Sequence, residues 1–294
     1  MATLRELKGR IGSVASSEKI TGAMKMISSA KMHKAEGALR RLKPYRSNIE
    51  AIIANLLSSD ATFMSPLTEV RQMQNITLVV FGSDDGLCGA YNVNLAKFLD
   101  SHIAGLRKEY GKELHIDIMP IGRKMVKAVA RMAKANVAIV DINNVNSKSE
   151  GAVVKDFEAA LRNRFLSGET DAIDIVYMNF HSAGRQVATI DRALPMSPES
   201  FKADDAKSGI KPYLFEPDAQ SIFANVLPMY LLSMVQEVFV ENRASEQAAR
   251  VMAMQSANDN AKKLLDQLRL EYNKMRQQSI TTELLDIVGG QVRD

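Results

Sequence analysis

Residues 229–288 read MYLLSMVQEVFVENRASEQAARVMAMQSANDNAKKLLDQLRLEYNKMRQQSITTELLDIV and contain neither glycine nor proline. Small and apolar side chains recur in them at steps of three and four, through Ala244, Ala248 and Val251, then Ala261, Leu265, Leu268, Tyr272 and Met275. That is the period of one face of an α-helix. At 1.5 Å per residue, an unbroken helix of this length is a rod of roughly 90 Å. No compact domain of this size is that wide, and a periodic run beyond about 25 residues belongs to a coiled coil. The small side chains of Ala244, Ala248 and Ala249 permit close approach of a second helix.

The opposite end of the chain supplies the partner. Thr3 and Glu6 have the spacing of a capping box, and Leu4, Leu7, Ile11, Val14, Ile20, Met24 and Ile27 follow at helical steps. Pro44 is expected to interrupt and kink this helix, with the pattern resuming over 49–57. Gly9, Gly12, Gly22 and Gly37 each cost about 1 kcal/mol relative to Ala in a helix interior. A helix so weakened needs tertiary support. Residues 1–58 and 218–294 are therefore read as an antiparallel coiled coil, with Asp218 capping the second helix.

Between them the period shortens. Runs at 76–83, 114–122, 137–142, 173–180 and 186–194 read as strands, and helical patterns fall near 94–109, 124–134 and 150–166. Alternation of this kind predicts a doubly wound α/β domain over 75–195 inserted between the two stalk helices. The proline-rich segment 195–217 reads as a loop leading back into the stalk.

The chain has 294 residues and a formal net charge of +4, yet the charge is unevenly placed. Residues 1–46 hold eleven Lys and Arg against three Glu, about +8, which leaves the remainder at about −4. A basic segment of that kind suits nucleic acid, an anionic membrane surface or an acidic protein partner. The first 44 residues hold no aromatic side chain on which bases could stack, and the apolar stripe is already committed to the coiled coil. The single cysteine, Cys88, excludes a disulfide framework and points to a reducing compartment. No apolar run reaches the 18 to 20 residues expected of a bilayer crossing, and the charged start carries no export signal.

Catalytic patterns are weak. The glycines Gly82, Gly86 and Gly89 follow a strand, but their spacing fits neither the dinucleotide fingerprint nor a P-loop. They read as a tight strand-to-helix turn with a docking edge. His33, His102, His115 and His181 lack metal-ligand spacing, and nothing marks a base for Cys88. The pairs Asp84-Asp85 and Asp204-Asp205 read as solvated loop carboxylates. No catalytic residue, metal or cofactor is assigned. A nucleotide-binding α/β enzyme and a basic coiled-coil adaptor for nucleic acid stand as alternatives.

Five blocks carry a resemblance along the whole chain: RIGSVASSEKITGAMKMISSAKM at 10–32, SDDGLCGAYN at 83–92, PYLFEP at 212–217, SEQAARVMAM at 245–254 and YNKMRQQSITTELLDIVGG at 272–290. In these the sequence resembles the gamma subunits of F-type ATP synthases. The resemblance implies a non-catalytic rotor in the ring of alpha and beta subunits, meeting the epsilon subunit and the c-ring below. It implies a peripheral place on the cytoplasmic face of a bacterial inner membrane, with catalytic nucleotides held by partner subunits. Residue by residue, it implies beta-subunit contacts at Met24, Lys25, Asp84, Cys88, Arg276, Gln277, Thr281 and Glu283, and foot contacts at Tyr213, Phe215 and Glu216. Asp85, Gly12, Gly22 and Gln278 depart from the family's commoner residues.

Overall fold

The computed structural model describes residues 3–58, 63–133, 136–142, 144–197, 201 and 215–291. Helix α1 (Leu4–Leu57) opens on the expected capping box: the Thr3 hydroxyl accepts from Glu6 N–H, and Glu6 returns a carboxylate to Thr3 N–H. It does not break at Pro44. A proline removes one backbone donor, and the buried side chains on either side, Leu39, Ile49 and Ile53, keep the flanking turns in place.

The last helix, α5 (Ala219–Gln291), is 73 residues long and also runs through a proline, Pro228. Its length is about 110 Å at 1.5 Å per residue. Asp218 caps it as expected, accepting from Ser221 N–H at 2.8 Å and from the Ser221 hydroxyl at 2.7 Å. The two helices are antiparallel: Arg46 pairs with Glu237 and Lys43 with Glu241, while Asn258 reaches the Glu18 carbonyl.

The inserted domain comprises β1 (Asn75–Phe81), α2 (Tyr91–Tyr110), β2 (His115–Ile121), α3 (Arg123–Val129), β3 (Val137–Ile139), α4 (Ala152–Leu166), β4 (Ala172–Ser182) and β5 (Arg185–Leu194). The strand order is β3-β2-β1-β4-β5; the first four are parallel and β5 closes an antiparallel hairpin on β4. Parallel strands buried on both faces need helices on both faces. On one face, α2 and α3 cover Leu78, Val80, Ile118 and Val176. On the other, Val79, Phe81, Ile175 and Tyr177 share a core with α4, the end of α1 and the first third of α5.

That shared core corrects one sequence expectation. An 18-residue window of α5 has a mean hydropathy of 1.4, enough for a bilayer crossing by length and composition, and half of it is buried inside the protein. Its apolar character serves the core. Phe239 is the pin, 1% exposed, with its ring edge-on to Phe81 at 4.7 Å and to Phe157 at 6.0 Å. The small residues also divide their service: Ala244 packs with Leu39 of α1, whereas Ala249 packs on the α2 and α3 side of the sheet.

Replacing Phe239→Ala empties the place where sheet, α4 and α5 meet. The expected loss is about 3–5 kcal/mol of folding stability, measured as a lowered denaturation midpoint.

Candidate functional site

In an open α/β sheet the crevice at the carboxyl ends of the strands, where the connections turn to opposite faces, is the usual place for a ligand. Here that crevice lies at the ends of β1 and β4, and α5 fills it. The Gly82 carbonyl just beyond β1 accepts from the Asn242 amide at 3.0 Å. The Met178 carbonyl on β4 accepts from the Ser245 hydroxyl at 2.8 Å. The Tyr91 hydroxyl, at the start of α2, donates to Asn242 Oδ1 at 2.5 Å.

Further along, the Arg250 guanidinium donates to the carbonyls of Gly86 at 3.2 Å and Asp85 at 3.4 Å and pairs with Glu246 at 2.6 Å. Arg243 pairs with Glu150, and Asn179 donates to Glu241 at 3.0 Å. A single stretch of α5, 241–250, thus fastens the β1–α2 loop, the end of the β3–α4 loop and strand β4.

The glycine-rich turn is filled as well. A Cβ built on Gly82 would stand 2.4 Å from the Met125 Cβ, so this glycine exists to let α3 approach. A Cβ built on Gly122, at φ +98, would stand 2.8 Å from the Ser83 backbone, so this glycine lets the next loop approach. Ser83 N–H is taken by the Asn92 side chain at 3.0 Å. The turn presents no cradle for phosphate.

Asp84 departs from its reading as a solvated loop carboxylate. It is 7% exposed and accepts from Arg123 N–H, Ser147 N–H and the Ser147 hydroxyl, tying three loops together. Cys88 is 3% exposed, beside the Ser83 hydroxyl and the Asn92 amide. The side chains of Asp84 and Cys88 therefore face inward, in contrast to their expected role as contact residues. The surface of the loop belongs to Asp85, whose carboxyl is lowered by the hydrogen bond from Lys148 at 2.8 Å, and to Leu87, 61% exposed at φ 64.

Leu87 overhangs a cleft of about 790 Å³ between α1, α5 and this loop. Met24, Ile27 and Val240 give it an apolar floor, and Lys31, Lys34 and Arg41 stand along its α1 side. None of those three bases has a carboxylate within ion-pair distance among the described residues. Lys25 sits half-buried on α1 next to Met24. The cleft is thus an apolar groove with a positive rim.

The remaining sequence-assigned residues fall in two places. Arg276, Gln277, Thr281 and Glu283 are all exposed on the last turns of α5, beyond the part that α1 covers, together with Leu284 and Leu285. At the other end, Phe215 packs on the shared core, Glu216 is exposed, and Tyr213 lies outside the described residues, as does the pair Asp204-Asp205. The histidines stay scattered: His33, His102 and His115 each contact a different carboxylate, and His181 is exposed. Sequence reasoning missed Leu87, whose positive φ leaves no compositional trace. It also missed Asn242, Ser245 and Arg250, although polar residues on the inward face of a buried helix were visible.

Comparison with known proteins agrees along the whole chain. The family model described as ATP synthase matches residues 3–292. The ATP synthase gamma chain of Phocaeicola vulgatus is 39% identical over 291 residues, covering 99% of each chain. That of Polynucleobacter asymbioticus is 34% identical, again over 99% of each. Among solved structures, a chain of the Euglena gracilis mitochondrial ATP synthase OSCP/F1/c-ring assembly superposes with a TM-score of 0.66 at 21% identity, over 98% of this chain and 93% of that one. A central stalk and c-ring structure from Tetrahymena thermophila gives 0.54 at 22% identity, over 81% and 99%.

The crevice also makes a pH-dependent prediction. Burial pushes the Glu241 carboxyl up to about 7, against a pull from Lys43 at 3.4 Å and a further push from Glu237 and Asp191. Below the ordinary carboxylate value, 4.5, the group is neutral in both folded and unfolded chains. As pH rises from there through about 7 the unfolded chain ionises first, and stability falls. Glu241→Gln should therefore raise stability by about 1–3 kcal/mol near pH 8, with the gain vanishing near pH 4.5, read from melting temperatures across that range.

Proposed function

Because this chain belongs to the ATP synthase gamma chains, we propose that it is the central-stalk rotor of a proton-translocating F-type ATP synthase, coupling c-ring rotation to nucleotide exchange on the catalytic beta subunits. It catalyses nothing itself. Its partners are the alpha and beta subunits around the shaft and the epsilon subunit and c-ring at the foot. Its place is peripheral, on the cytoplasmic face of the bacterial inner membrane.

The observation that carries this reading is the bare end of α5. Leu284 is 57% and Leu285 65% exposed, and no other element of the described chain covers them. Apolar side chains left uncovered at the end of a rod call for an enclosing partner. Arg276, Gln277, Thr281 and Glu283 on the same turns supply polar contacts to a loop of one beta subunit.

Lower down, the cleft beneath Leu87 suits an acidic lever segment of beta: apolar floor, basic rim. Met24 forms part of that floor, and Lys25 lies beside it. In this reading the loop touches beta through Asp85 and Leu87, while Asp84 and Cys88 hold it in shape. Phe215 and Glu216, with Tyr213, meet the epsilon subunit and the c-ring.

The mechanism follows from asymmetry. A rod with one basic, grooved side presents a different surface to each beta subunit around the ring. It acts as a ligand with different affinity for open and closed states, so turning it shifts their populations in sequence. Exposed ionic contacts suit a moving part, because they are screened within about 8 Å at physiological salt and do not lock the rod.

A chain ended after Met275 should assemble with alpha and beta yet lose most rotation-coupled ATP synthesis, assayed in reconstituted vesicles. Undiminished synthesis would remove the tip residues from the coupling path.

A further inference from the structure

We propose that the fastening of 241–250 into the sheet crevice is a torque joint, through which the α/β domain hands force from the foot to the shaft. The proposal rests on the rotor reading.

Two observations carry it. First, the foot and the sheet share one core: Phe215 packs on the cluster that holds Val79, Phe81 and Phe239. Force applied at the foot therefore enters the α/β domain as well as the helices. Second, the domain returns to α5 through buried, directional bonds.

Asn242 and Ser245 are each 0% exposed, and Tyr91 is 4% exposed. Both polar functions of the Asn242 side chain are satisfied, by the Tyr91 hydroxyl and the Gly82 carbonyl. Register sets these partners: Val80 lies beside Val176, and Gly82 and Met178, each two residues further along its chain, each accept one bond from α5.

Apolar residues in place of Asn242 and Ser245 would leave the carbonyls of Gly82 and Met178 without these donors, so the bonds serve stability. They also bear load. Apolar packing is non-directional and opposes separation more than sliding. A hydrogen bond weakens steeply once bent below about 120°, so a cluster of them resists rotation and translation of the helix. Slippage of α5 by one turn, about 5.4 Å, would break them all together.

The test uses the reassembled complex with its alpha and beta subunits, a bead being attached to Ser101→Cys on the exposed side of α2; the native Cys88 is buried. The angular spread of the bead in each dwell reports the stiffness between domain and ring. The double variant Tyr91→Phe, Ser245→Ala removes two hydroxyls from the joint. The control Thr77→Val removes a buried bond inside the domain, Thr77 to Thr170 at 3.1 Å.

The expected result is an angular variance raised about two-fold in the joint variant and unchanged in the control, although both lower the melting temperature. Equal variance in all three chains, or an equal rise in both variants, overturns the joint. Failure of the unaltered chain to turn at all would instead overturn the rotor reading, and the joint with it.

Discussion

Helices in proteins draw most of their stability from tertiary packing, and the covering of the 73-residue α5 decides nearly everything else in this molecule. Its coat changes along its length. Around Phe223, Leu231 and Phe239 it lies in a deep apolar core; over 241–250 it lies in the polar mouth of a sheet; beyond that, where Asn258 reaches Glu18, it runs beside α1. From Arg276 to Leu285 it is exposed at every position but Ser279. The residue types follow these four environments in turn, which is why one helix can be core, joint, shaft and tip.

The polar stretch is the costly part. Glu237, Glu241 and Glu246 are all buried, and burial raises the carboxyls of Glu241 and Glu246 toward neutrality. The molecule keeps them by giving each a base or an amide: Arg46 for Glu237, Lys43 and Asn179 for Glu241, Arg250 for Glu246. Arg46 and Lys43 belong to the same basic α1 that faces outward elsewhere, while Arg250 stands one turn from Glu246 on α5 itself. Part of the positive charge read from the N-terminal segment is thus internal balance, and part, at Lys31, Lys34 and Arg41, is left for a partner.

The fold was largely legible because its signals were long. A glycine- and proline-free run, a capping box and five apolar strands are each set by many residues, and their order leaves few topologies. Pro44 was over-read: there, as at Pro228, tertiary packing outweighs one missing backbone bond. The site was less legible. Exposure of Arg276, Gln277, Thr281 and Glu283 follows from helix length, but the inward turn of Asp84 and Cys88 depends on Ser147, Arg123 and Asn92, which reach the loop only after folding. Leu87 is turned outward by a backbone torsion that no residue pattern announces.

Gly22 looked like a flaw in α1, and the structure gives it a purpose. A Cβ there would lie 3.3 Å from the Asn258 amide, which donates to the Glu18 carbonyl at 2.7 Å and to the Thr21 hydroxyl at 3.3 Å. The two residues are neighbours. In evolutionary terms they are linked: a side chain gained at 22 makes the Asn258 amide give by a few tenths of an ångström, whereas Gly9, Gly12 and Gly37 have nothing within 4 Å in this chain to constrain them.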